Sequence, residues 1–83
     1  MASAQTTSTG RSAASARPLL SRREVDVIEL ATQGLTNSEI AARLSLTTYA
    51  VEFHLSSAYA KLGVANRTQA AVAYLRLRSE GLI

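Results

Sequence analysis

Two helix-start signatures, built alike and fifteen residues apart, limit what this chain can fold into. In the first, Ser21 is followed three residues on by Glu24, the pairing of a reciprocal capping box, and Leu20 and Val25 flank it with the spacing of a hydrophobic staple. In the second, Thr36 and Glu39 form the box and Leu35 and Ile40 the staple. A box satisfies amide groups that only the first turn of a helix leaves orphaned. Two in quick succession predict short consecutive helices.

The stop signals agree with the starts. After Arg22, the residues Val27, Ile28, Leu30 and Ala31 keep helical spacing, and Gly34 stands where a left-handed cap closes a helix, so the first is expected over about 22–33. The second runs over about 37–44 and breaks at Ser45, Leu46 and Thr47. Thr47 then caps a third helix, 48–62, whose inner stripe is Val51, Leu55, Ala58 and Leu62 and whose stop is Gly63. Asn66 caps a fourth, 67–79, carrying Ala70, Ala71, Val72, Tyr74 and Leu75, with Arg76 and Arg78 in its last turn and Gly81 beyond it. No alternation long enough for a sheet appears, and no internal repeat. The expected fold is all-α, a four-helix bundle.

Composition narrows the class of function. The 83 residues, 47% apolar, suffice for one core. Without cysteine there is neither a disulfide framework nor a thiolate metal site, which suits a reducing cytoplasm. No apolar run reaches the roughly 18 residues of a membrane span, and residues 1–17, rich in Ala, Ser and Thr, lack the apolar stretch of a secretory signal. That segment is read as a disordered linker or an added tail, with the domain proper at 18–83. Of the formal charge of +3, two arginines, Arg11 and Arg17, lie in the tail; from Pro18 onward seven basic residues face six acidic ones. Charge alone is thus a weak argument for nucleic acid.

The second and third helices, joined by a three-residue turn, have the form of a helix-turn-helix. Ala41 is small where the helices must cross closely, Ile40 and Leu44 face inward, Leu46 anchors the turn and Val51 packs one helix on the other. An ordinary helical hairpin would satisfy the same spacing. Four segments together are more specific: Leu20-Ser-Arg-Arg-Glu24, Gly34-Leu-Thr-Asn-Ser-Glu-Ile-Ala41, Val51-Glu-Phe-His-Leu55 and Lys61-Leu-Gly-Val64, in this order and at these distances. With them the chain, over about residues 19–83, resembles the LuxR-type (GerE) domain of bacterial transcription regulators. Other helix-turn-helix families, sigma-factor region 4 among them, lack the last segment.

That resemblance implies sequence-specific binding of double-stranded DNA, with the third helix in the major groove and an upstream sensor in the intact regulator. It also implies a homodimer formed through the fourth helix, where Val72 and Leu75 lie about one turn apart, acting on inverted-repeat sites, with RNA polymerase as a further partner. Carried onto this sequence, the candidate DNA contacts are Thr47, Thr48, Tyr49, Glu52, Phe53 and Ser56. Thr48 and Ser56 suit bases or phosphates, Phe53 a thymine methyl and Glu52 a cytosine amino group. Arg43, Lys61 and Arg67 sit near helix ends, as phosphate clamps or as ordinary solvated charges.

The sequence departs from the commonest family pattern, which has Thr at the position of Ala50 and Lys at that of Glu52. A carboxylate beside phosphates is unfavourable, so Glu52 reads a base, pairs with a nearby Arg, or marks weak binding. Some larger regulators of the family resemble the Val51-Glu-Phe-His-Leu55 segment closely, which favours the first two. The rival reading is a protein-interaction module that keeps the fold, with Tyr49, Glu52 and Phe53 as an acidic and aromatic surface.

Other residues carry less. Arg22 and Arg23 stand in a first turn, where cations oppose the helix dipole; they point to an anionic partner or to plain solvation. His54 is the one histidine, and neither it nor the scattered carboxylates have catalytic or metal-ligand spacing. No enzyme activity, cofactor or metal is expected.

Overall fold

The computed structural model describes residues 20–83. The segment 1–17, read above as a linker or tail, lies outside the described residues. Four helices follow in order: α1 Arg22–Thr32, α2 Asn37–Leu44, α3 Thr48–Leu62 and α4 Arg67–Ser79. All four starts are capped by the side chains named from sequence. Ser21 and Thr36 complete reciprocal boxes with Glu24 and Glu39, while Thr47 and Asn66 accept from the amides of Ala50 and Gln69.

The ends share one closure. In each, an amide reaches back over six residues to a carbonyl of the last turn: Leu35 to Leu30 at 3.2 Å, Leu46 to Ala41 at 2.9 Å, Val64 to Tyr59 at 3.0 Å and Leu82 to Leu77 at 2.8 Å. This Schellman-type bond needs a left-handed residue just before the donor and seats an apolar side chain after it. Gly34, Gly63 and Gly81 supply the left-handed residue at three ends. At the fourth, inside the α2–α3 turn, Ser45 takes φ +58°, the one positive φ of a non-glycine residue among the described ones. Leu35, Leu46 and Val64 all pack against the core, so three of the four helix stops are also core contacts.

The core is small and continuous. Val27, Ile28 and Ala31 of α1 meet Ile40 and Ala41 of α2, Val51, Leu55 and Ala58 of α3, and Ala70 and Tyr74 of α4, all buried. α1 touches the other three helices, and α3 packs on α1, α2 and α4. Among the described residues the backbones of α2 and α4 do not approach closely, and the Arg67 side chain at the start of α4 bridges to Asn37 at the start of α2. The consequence for function is geometric: α3 is held from behind by three elements while its opposite face is left to solvent.

Candidate nucleic-acid interface

The face of α3 turned from the core carries Thr48, Tyr49, Glu52, Phe53 and Ser56, all exposed. Tyr49 and Phe53 are 77% and 63% accessible, high values for aromatic side chains, which folding normally hides. Positions 49, 52, 53 and 56 follow the 3–4 residue repeat of one helical face, set opposite Val51, Leu55 and Ala58. The site candidates on α3 are thus brought together as a single ridge. His54 is half-buried at its edge and stacks edgewise on Phe53, with ring centroids 5.7 Å apart at 70°.

Thr47 plays a different part from its neighbours. Its hydroxyl accepts from the Ala50 amide at 3.0 Å, which fixes the start of the ridge. The amides of Thr48 and Tyr49 have no partner among the described residues, so the N-terminus of α3 presents two free donors and the positive end of its dipole. Glu52 makes no hydrogen bond or ion pair with any described residue. Pairing with a nearby Arg, one of the three roles open to it from sequence, is therefore not how the molecule accommodates this carboxylate.

The cations expected around the ridge divide sharply. Arg43, at the end of α2, is exposed, and its side chain has no partner among the described residues. Arg67 is turned inward: it donates to the Leu35 carbonyl at 2.8 Å and to Oδ1 of Asn37, tying the start of α4 to the α1–α2 corner. Lys61 donates to Glu24 at 2.9 Å. Lys61 and Arg67 thus already serve tertiary contacts, and of the three cations Arg43 is the one without a side-chain partner among the described residues. Arg22 and Arg23 likewise meet an internal anion, Asp26, at 3.3 and 3.4 Å. No outside partner is required to explain them.

The residue that sequence reasoning undervalued is Glu24. Besides closing the α1 box by accepting from the Ser21 amide at 2.8 Å, its carboxylate accepts from Ser57 Oγ at 2.6 Å and from Lys61 Nζ. The side chain is 6% accessible. Burial alone would raise its pKa, but the bonds from Ser57, Lys61 and Ser21, with the lysine's charge, outweigh it and hold the carboxyl near 2, against an ordinary 4.5. One carboxylate therefore clamps α1 to α3 and sets how the exposed ridge is presented. The signal in the sequence was the i, i+4 spacing of Ser57 and Lys61 on the flank of α3 between the ridge and the core stripe.

On α4, Tyr74 is buried and its hydroxyl accepts from Arg78 at 3.2 Å, whereas Val72 and Leu75 are 56% and 54% accessible. Val72 also lines an open groove of about 410 Å³ between α4 and the end of α3, with Leu62, Val64, Ala73 and Arg76. The two expected dimer residues are thus left uncovered by the fold. Among the described residues no cluster of His, Cys, Asp or Glu could hold a metal, and no helix is long and apolar enough to cross a membrane.

The model of bacterial regulatory proteins of the LuxR family matches residues 18–74. The chain belongs to that family. Its helix-turn-helix is the LuxR-type DNA-binding domain of bacterial transcription regulators. The spore germination protein GerE of Bacillus subtilis is 46% identical over 61 residues, covering 74% of this chain and 82% of GerE. The uncharacterized transcriptional regulatory protein YhcZ of the same organism is 44% identical over 64 residues, 77% of this chain but 30% of YhcZ. In the crystal structure of the response regulator ChrA of a heme-sensing two-component system, 32% of that chain aligns with 81% of this one, with a TM-score of 0.68 and 42% identity. The LuxR-type domain here thus spans most of GerE but under a third of YhcZ and of ChrA.

Proposed function

We propose that this LuxR-type domain reads duplex DNA by laying α3 in the major groove, as the cytoplasmic output unit of a regulator, with two copies paired through α4 over an inverted repeat. The observation that carries the reading is the α3 ridge. Five side chains able to contact bases or phosphates share one solvent-facing surface, on a helix anchored from behind and preceded by two free amides. Phosphates are met by those amides, by Thr48 and Ser56, and by Arg43 across the turn. Lys61 and Arg67 are left out of that set.

Pairing through α4 is supported by Val72 and Leu75, an apolar patch beside an open groove. A two-fold pair presents two ridges to half-sites and compensates for the few cations on each. RNA polymerase is the further partner that promoter-bound output implies.

The test is selection from a random duplex pool at about 50 mM salt, where phosphate contacts are strongest, followed by sequencing of the retained fraction. The expected result is an inverted repeat, lost when Leu75 is changed to Lys. A domain that sediments as a monomer on its selected DNA would remove the dimer. Failure to retain any duplex would move the assignment to a protein-binding module.

A further inference from the structure

We propose that Glu52 is the specificity-determining residue of α3, selecting a cytosine in the major groove, with Phe53 selecting the methyl of a thymine read by the same turn. This rests on α3 being the reading helix and goes further by naming the bases.

The argument starts from what the ridge lacks. None of Thr48, Tyr49, Glu52, Phe53 and Ser56 is a cation, so the commonest base contact, a guanine gripped by Arg or Lys, has no donor here. The one charged group is an exposed carboxylate with no partner among the described residues, on the face proposed to meet the groove. Once docked, that carboxylate loses water and lies among negative charges, which is unfavourable unless a base edge donates to it. Guanine presents only acceptors in the major groove, and thymine an acceptor and a methyl. Adenine offers an amino group but sets the N7 acceptor beside it, against which a carboxylate oxygen is repelled. Cytosine alone offers an amino donor without an adjacent acceptor on the same base.

Phe53 supports the same reading independently. Its ring is exposed on the ridge and meets the edge of His54, so it offers an apolar surface toward the groove. Among the four bases only thymine carries an apolar group in the major groove for such a surface to cover. Glu52 and Phe53 are consecutive, and together they call for a cytosine and a thymine close by in each half-site.

The experiment is parallel selection from the random duplex pool by the full chain and by Glu52→Gln, Glu52→Lys and Phe53→Ala. Circular dichroism checks that each variant keeps its helices, as exposed substitutions should. The wild type is expected to enrich a position held by cytosine. Glu52→Gln should move that position to adenine, whose N6 and N7 an amide can grip together, and Glu52→Lys to guanine. On the selected site, replacing the cytosine should weaken wild-type binding about tenfold or more. Exchanging thymine for uracil, which removes only the methyl, should weaken the wild type several-fold and Phe53→Ala not at all.

If all the variants enrich the wild-type motif unchanged, the inference is overturned while DNA binding by the domain stands. It is overturned equally if Glu52→Lys retains DNA and the wild type does not, since Glu52 would then only repel. Retention by none of them would remove the α3 reading itself, and this inference with it.

Discussion

Replacing Glu24 with Gln removes one charge while leaving the size of the side chain and its acceptor for the Ser21 amide in place. What is lost is the carboxylate that holds Ser57 and Lys61. The carboxyl is held near 2 in the folded protein against an ordinary 4.5. At about 1.4 kcal/mol per pKa unit, this shift corresponds to about 3 kcal/mol of stability at neutral pH. Because the folded state binds this proton less tightly than the unfolded chain does, the contribution is complete above about pH 4.5. It declines as pH falls toward 2, and is gone below. A domain of this size has a total stability on the order of 3–10 kcal/mol, so the effect is a large share of it. Urea titrations of both proteins at pH 7 should differ by about 2–3 kcal/mol, and the difference should close between pH 4.5 and 2. A gap below about 1 kcal/mol at pH 7, or one that stays constant down to pH 2, would refute the clamp.

Ile40→Ala empties a fully buried position where α2 meets α3 and should cost about 2–5 kcal/mol by thermal or urea denaturation. Ser45→Gly relieves a left-handed backbone that a side chain disfavours by about 1–2 kcal/mol, partly offset by the entropy of glycine, so the melting temperature should rise by a few degrees. With Arg43 as the proposed cationic phosphate contact and the α3 amides uncharged, fluorescence anisotropy against salt should show a shallow dependence, a log–log slope of about −1 per protomer. Arg43→Ala should then weaken binding to all duplexes alike, whereas Lys61→Ala should lower stability more than it alters the salt slope.

Helix boundaries are legible in this sequence because every cap and every stop is a local event. Ser21 and Glu24, or Thr36 and Glu39, are three residues apart, and the closures at Gly34, Gly63 and Gly81 act within one turn. The ridge is legible for the same reason: once Val51, Leu55 and Ala58 are placed inside, Tyr49, Glu52, Phe53 and Ser56 are outside by geometry. The roles of Lys61 and Arg67 are not legible in that way. Their partners lie 37 residues away at Glu24 and 32 and 30 residues away at Leu35 and Asn37. No periodicity reports which of several exposed-looking cations will find a carboxylate or a carbonyl when helices dock. Glu24 misleads in the opposite sense, because its local job as half of a capping box fully explains its presence and hides its tertiary one.

On the proposed reading, the engagement of Lys61 and Arg67 by internal partners bears on how such a domain finds its target among a chromosome's competitors. Contacts to phosphate strengthen the grip on every stretch of duplex alike, and a genome offers roughly a million or more stretches that are not the operator. Removing two such contacts weakens operator and bulk DNA by the same factor, which cancels from the partition between them. What survives is the discrimination made at base edges. On the proposed reading, a regulator built this way would dwell briefly on irrelevant DNA, remain free to exchange, and carry an acidic residue on α3 without forfeiting occupancy of the right site.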